Sequence, residues 1–88
     1  MQQCIQINNK LGLHARAAAK LVELAKSFSS DIKIVKNHRE VDAKSIMSVL
    51  MLAATKGTTL TLCVNGKDQT QALAAIVQLI ENKFDEGE

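Results

Sequence analysis

Gln2 to Asn8 alternates along the chain, with Ile5 and Ile7 on one face and Cys4 and Gln6 on the other, the pattern of a half-buried strand. From Ala15 to about Phe28 the period lengthens. Ala18, Leu21, Val22, Ala25 and Phe28 recur at helical spacing and leave Lys20, Glu23 and Lys26 for water. Ser29, Ser30 and Asp31 break that helix, and Ile32 and Ile34 alternate with Lys33 and Val35 in a second strand. A polar turn from Lys36 to Arg39 leads to Val41 and Ala43, a short third strand that closes a hairpin. Ser45 then suits the N-cap of a short helix in which Ile46, Val49, Leu50 and Ala53 share one side, with Lys56 and Gly57 supplying a basic last turn and a C-terminal glycine. Thr59 to Asn65 alternates cleanly and turns Leu60, Leu62 and Val64 inward as a fourth strand. Beyond the turn at Asn65, Gly66 and Lys67, Asp68 with Gln71 has the form of a capping box, and Leu73, Ile76, Val77, Ile80 and Phe84 mark a third helix. The acidic tail from Asp85 to Glu88 is expected to fray.

The element order βαββαβα, with no repeat and no low-complexity linker, predicts an α+β fold: an open-faced two-layer sandwich with three helices on one face of a four-stranded sheet. The helical crossover between the first two strands leaves room for the fourth, so the antiparallel order is 1-4-2-3. Cys4 and Cys63 then lie on adjacent strands of the open face. A register placing Ile5 opposite Leu62 would set Cys4 opposite Cys63, where oxidation could join them, but reduced structural thiols are the expected state.

The chain has 88 residues, 47% of them hydrophobic, enough for a single domain over 1–88. No apolar run approaches the roughly 20 residues of a membrane span. Met1 to Gln6 also lacks the basic-then-apolar pattern of a secretion signal, so a soluble cytoplasmic protein without membrane insertion is expected. The net charge of +2 is unevenly spread, residues 1–56 carrying +5 and residues 57–88 carrying −3. The basic half should attract a phosphorylated group or an acidic protein surface.

That half contains the stretch with chemistry in it. Gly12 gives backbone freedom to a turn that delivers His14 just ahead of an alanine-rich helix. The first N–H groups of a helix lack internal partners and the macrodipole makes that end positive, so an anion is favoured beside Ala15, Arg16 and Ala17. Imidazole is a nucleophile near neutral pH, and Arg16 adds a fixed charge two residues on. On local sequence alone, a histidine near a helix start is more often a solvated turn residue.

The paired signatures Gly12, Leu13, His14, Ala15, Arg16 and Lys44, Ser45, Ile46, Met47 resemble those of the HPr family, the histidine-containing phosphocarriers of the bacterial phosphoenolpyruvate-dependent phosphotransferase system. The resemblance runs essentially end to end and carries the same βαββαβα fold. It implies that His14 accepts a phosphoryl group on Nδ1 from phosphorylated Enzyme I and passes it to an EIIA-type acceptor. Arg16 and the amides of Ala15 to Ala17 would surround the group. The same resemblance implies a docking surface of Ile46, Met47, Leu50, Met51 and Lys20 beside the histidine. On the residues themselves, Ile46, Val49 and Leu50 are expected to fill the core, whereas Met47 is the residue expected to be exposed. Ser45 matches the regulatory serine phosphorylated in some members by an HPr kinase/phosphorylase, although an N-cap role alone explains a serine there. Ala17 departs from the proline common in the family, keeping the helix while losing some rigidity.

Other function classes fare worse. An RNA-binding sheet stacks bases on aromatics, and the two here, Phe28 and Phe84, sit at helical core spacing. Two isolated cysteines and the distant His14 and His38 lack metal-ligand spacing, and no cofactor is implied. An enzyme with its own substrate pocket would need convergent acids and bases, and the domain has little room for one. The resemblance implies a carrier and not an enzyme, with activation of the donor belonging to the partners. A purely regulatory binding module controlled through Ser45 is the alternative. Sugar uptake and a nitrogen-related regulatory branch are not separated by these residues. Transient docking with several partners suggests a monomer.

Overall fold

A computed structural model describes residues 1–86. Strands β1 (Gln2–Gln6), β2 (Asp31–Lys36), β3 (Arg39–Asp42) and β4 (Thr59–Asn65) form one antiparallel sheet in the order β1-β4-β2-β3. With α1 (Ala15–Lys26), α2 (Ile46–Leu50) and α3 (Gln69–Glu81) the expected α+β order is complete. Successive strand side chains point to opposite faces, so each alternating segment sends its branched residues to one layer. Ile5 meets Leu60, Leu62 meets Ile34, and Val64 meets Ile32. Leu21 and Val22 of α1 and Leu73, Ile76 and Ile80 of α3 join them in one core cluster. Among the described residues, no helix is long and apolar enough to cross a membrane.

The short helix departs from expectation. α2 closes at Leu50, and Ala53 takes a left-handed conformation (φ 51°) that redirects the chain so that Leu52 and Ala54 enter the core. Ala53 is therefore exposed, and Ile46 is 38% exposed instead of core. Lys56 and Gly57 do not end the helix, because Gly57 lies in the next turn and donates its N–H to Ile7 O at 2.7 Å. Cations for the end of α2 come from the β2–β3 hairpin instead: Lys36 Nζ donates to Leu52 O at 2.8 Å and Arg39 to Met51 O at 3.2 Å. Positive charge at that end suits the helix dipole.

Asp68 also has a different use. It precedes α3 but makes no capping bond, because its carboxylate accepts the N–H groups of Ser29 at 2.9 Å and Ser30 at 3.0 Å together with the Ser30 hydroxyl. These donors, the Ser30 hydroxyl foremost, pull its pKa from an ordinary 3.8 to about 2. The break after α1 is thereby tied to the start of α3.

Backbone bonds from Ile7 N–H to Thr58 O at 2.9 Å and from Gly57 N–H to Ile7 O set the β1–β4 register, placing Ile5 opposite Leu60 and not Leu62. Cys4 consequently faces Thr61, and Cys63 faces Gln2 and Lys33. Both thiols are free and diagonal to one another. Diagonal residues lie roughly 7–8 Å apart, beyond the usual reach of a disulfide.

The expected fraying does not hold for Asp85 and Glu86; the rest of that tail lies outside the described residues. Phe84 is not in the third helix either. After Glu81 the chain passes through Lys83, Phe84 and Asp85 in left-handed conformations (φ 56°, 55° and 63°), and Phe84 is wholly buried. Such angles cost an L-residue roughly 1–2 kcal/mol each. Burial of the Phe84 ring and donation by Lys20 Nζ to Phe84 O at 2.7 Å hold the turn against that strain.

Candidate functional site

The approach to α1 is a turn pinned from both sides. Gly12 N–H donates to Asn9 O at 3.2 Å, while Asn9 Nδ2 donates to Gly12 O at 2.7 Å. Gly12 has φ +67°, and a Cβ there would stand 2.6 Å from Ala54 O and 2.9 Å from Thr55 Cα. Leu13 donates its N–H to that same Ala54 O at 2.8 Å and buries its side chain. Leu11, on the other side of the glycine, is 68% exposed. His14 follows as the N-cap of α1 in an extended conformation (φ −79°, ψ −179°).

This helix start is poorly capped. His14 makes no side-chain cap bond, the first turn holds no acidic residue, and the first helical bond runs from Ala18 N–H to His14 O at 2.8 Å. Serine, asparagine or aspartate at the cap would be worth about 1 kcal/mol more. Their absence leaves the positive end of the helix open to an external anion. Ala15 and Arg16 are exposed and Ala17 is wholly buried.

A carboxylate from the other end of the chain meets the histidine ring itself. Glu86 Oε2 contacts Nε2 of His14, and Asn9 Nδ2 donates to Glu86 Oε1 at 3.0 Å. The His14 side chain is 28% exposed and that of Glu86 14%, while Asn9 is wholly buried. The Asn9 amide chiefly holds the Glu86 carboxyl below its ordinary pKa; the His14 contact and the charge of Lys20 act in the same direction, and burial opposes them. Among the described residues no hydrogen bond engages Nδ1 of His14. A cleft of about 790 Å³ opens over the ring, with Lys10, Leu11, Arg16 and Asp85 on its walls. Lys20 also lines it, but its ammonium is committed to Phe84 O. Arg16 and Lys10 make no ion pair among the described residues, so their charge is available to an incoming anion.

The second set of predicted residues stands apart from this cleft. Ser45 caps α2, its Oγ accepting the Ser48 N–H at 3.4 Å. Met47 is 65% and Met51 57% exposed, Leu50 is half-buried and Val49 is core. None of Ser45, Ile46, Met47, Leu50 or Met51 lines the His14 cleft. His38 is exposed in the hairpin turn. Phe84 is buried and Phe28 packs half-buried against the core, so neither is on the open sheet face. Among the described residues no three His, Cys, Asp or Glu side chains converge to hold a metal.

Glu86 and Asn9 are the site residues that sequence reasoning misses. Phe84 at core spacing is the available signal, since burying it draws the next two residues inward. The sequence offers no comparable mark for Asn9.

Comparison with known proteins gives one consistent result. The family model described as PTS HPr component phosphorylation site matches residues 1–82. The phosphocarrier protein HPr of Cupriavidus necator is 54% identical over 88 residues, covering 100% of this chain and 99% of that protein. The phosphocarrier protein NPr of Shewanella violacea is 45% identical over 86 residues, covering 98% and 94% respectively. A crystal structure of HPr from Thermoanaerobacter tengcongensis superposes with a TM-score of 0.95 at 44% identity, covering 98% of this chain and 97% of that one.

Proposed function

The chain belongs to the HPr family of phosphocarriers of the phosphotransferase system, and we propose that His14 carries the phosphoryl group, accepting it from Enzyme I and yielding it to an EIIA-type acceptor. One observation carries this reading: among the described residues, the imidazole at this uncapped helix start has one nitrogen occupied by a carboxylate and the other unengaged, in a cleft shared with Arg16, which makes no ion pair there. Nδ1 attacks phosphorus, the Nδ1–P bond forms, and the donor's bond to phosphorus breaks with its electron pair returning to the donor. The acceptor reverses these roles. Helix-end interactions at an exposed site are worth only about 0.3–1 kcal/mol each, so the group is held lightly enough to move on. Activation of the donor belongs to the partner, and the chain acts as a carrier. Exposed Met47 and Met51 serve as the docking surface in a cytoplasmic, single-domain monomer. Ser45, at the start of α2, is the candidate target of an HPr kinase/phosphorylase, since phosphate there would sit beside the apolar patch.

The test is intact-mass analysis of the chain with Enzyme I and phosphoenolpyruvate, beside His14→Ala and before and after brief acid treatment. Gain of one acid-labile phosphoryl group by the wild type and none by the variant is expected. A folded wild type that gains nothing from an Enzyme I active on another carrier would overturn the reading.

A further inference from the structure

A buried asparagine and a carboxylate 77 residues away meet at His14, and acceptance of a phosphoryl group does not by itself require either. We propose that Asn9 and Glu86 are positioning residues: Asn9 holds the Glu86 carboxylate against Nε2 of His14, which fixes the ring's tautomer and direction and leaves Nδ1 as the nucleophile. The inference rests on His14 being the acceptor.

An ionised carboxylate accepts hydrogen bonds and donates none, so contact with Glu86 requires the ring proton on Nε2. In the neutral ring the lone pair is then on Nδ1. The two N–H groups of the Asn9 amide go to Gly12 O at 2.7 Å and to Glu86 Oε1 at 3.0 Å. One buried group thus grips both the turn that carries His14 and the carboxylate that steers its ring. Among the described residues its Oδ1 is buried without a hydrogen bond, an unfavourable arrangement that packing alone would have no reason to keep. Aspartate in the same space has no N–H to give, and leucine none at all. A histidine oriented through its second nitrogen by a carboxylate is the arrangement that fixes general-base and metal-binding imidazoles elsewhere. In the transfer step the Nδ1–P bond forms and the donor leaves with its electron pair. The proton stays on Nε2, and the positive charge the ring gains faces Glu86.

The experiment compares wild type, Asn9→Ala, Glu86→Ala and the double variant. It measures the rate of phosphoryl acceptance from Enzyme I and the nitrogen-15 spectrum of labelled histidine. Each single change is expected to slow acceptance about tenfold or more, as loss of an outer-shell partner does. The double variant should be no slower than the worse single one, because both act through one contact. Wild type should show an Nε2 proton protected from solvent and a bare Nδ1, with that proton signal lost in both variants while the backbone spectrum stays folded. Wild-type rates in the variants, multiplied losses in the double, or the proton on Nδ1 would overturn the proposal while leaving His14 as acceptor. A wild type that accepts no phosphoryl group would sink the carrier reading instead, and the spectrum would then decide the positioning claim alone. Should Asn9→Ala fail to fold, Glu86→Ala near the chain end decides.

Discussion

Substituting alanine at Gly12 asks whether the His14 turn is built on close contact with the loop around Ala54. The left-handed φ of +67° alone should cost roughly 1–2 kcal/mol for any L-residue. Sterics add to this, because the new Cβ would meet Ala54 O at 2.6 Å and Thr55 Cα at 2.9 Å, both backbone atoms and neither the end of a flexible side chain. Overpacking of that kind costs about 1–3 kcal/mol. Ala54 O also receives the Leu13 N–H at 2.8 Å, so relief by moving the loop weakens a bond that places His14. The total is about 2–5 kcal/mol, a large share of the 5–15 kcal/mol that stabilises a typical domain. At about 4–8 °C per kcal/mol for a domain of this size, Gly12→Ala should melt at least about 8 °C lower.

Gly57→Ala is the control, since Gly57 shares a positive φ of +92° but a Cβ added there would have nothing within 4 Å of it. Thermal melts followed by circular dichroism should give a smaller loss for Gly57→Ala despite its less favourable φ, and that ordering would mark the steric contribution at Gly12. Phosphoryl acceptance should fall for Gly12→Ala even at temperatures where it is folded. A melting point within about 3 °C of wild type, with acceptance unchanged, would refute the reasoning.

Asp68 has a depressed pKa in the folded state, so its stabilisation is present above its ordinary value of 3.8 and is lost as pH falls towards about 2. Asp68→Asn should lower the melting temperature at pH 7 and bring the two melting curves together in that acid window, as melts from pH 2 to 7 would reveal. Met47→Ala, at a side chain 65% exposed, should change stability by less than about 0.5 kcal/mol. Its affinity for Enzyme I, measured by titration calorimetry, should drop severalfold, and an unchanged affinity would remove Met47 from the docking surface.

Strands and long helices are legible in the sequence because their residues obey one period each. Ile32, Ile34, Leu60, Leu62 and Val64 are buried as alternation requires, and Leu21 and Val22 as helical spacing requires. Local pattern misleads where a residue answers to a distant partner. Asp68 resembles a cap because its neighbours fit one, yet Ser29 and Ser30 offer its carboxylate more donors than the helix start does. Gly57 resembles a helix terminator, but its N–H bonds to Ile7 across the sheet edge. Phe84 follows the spacing of Ile80 and does reach the core, by a left-handed turn that no periodicity encodes.

His14 is visible in the sequence and Glu86 is not, for a related reason. The first is marked by neighbours: a glycine turn before it and alanines after it. The second is brought to the site by the strained segment Lys83–Asp85, whose cost is met by Phe84 burial and the Lys20 bond. Around this one imidazole lie a helix start without its usual cap, a buried Asn9 oxygen without a partner among the described residues, a left-handed glycine and three left-handed non-glycine residues. Departures from local preference that gather in one place are expected at functional sites, where the rest of the fold sustains them. Each also acts on the ring in a definite way. The missing cap leaves the first helical N–H groups without a side-chain partner, the glycine lets Leu13 bond to Ala54 O, and the terminal turn supplies the carboxylate at Nε2. On the proposed reading, a phosphoryl group brought to His14 meets a helix start without a side-chain cap and the Arg16 and Lys10 side chains, which make no ion pair among the described residues.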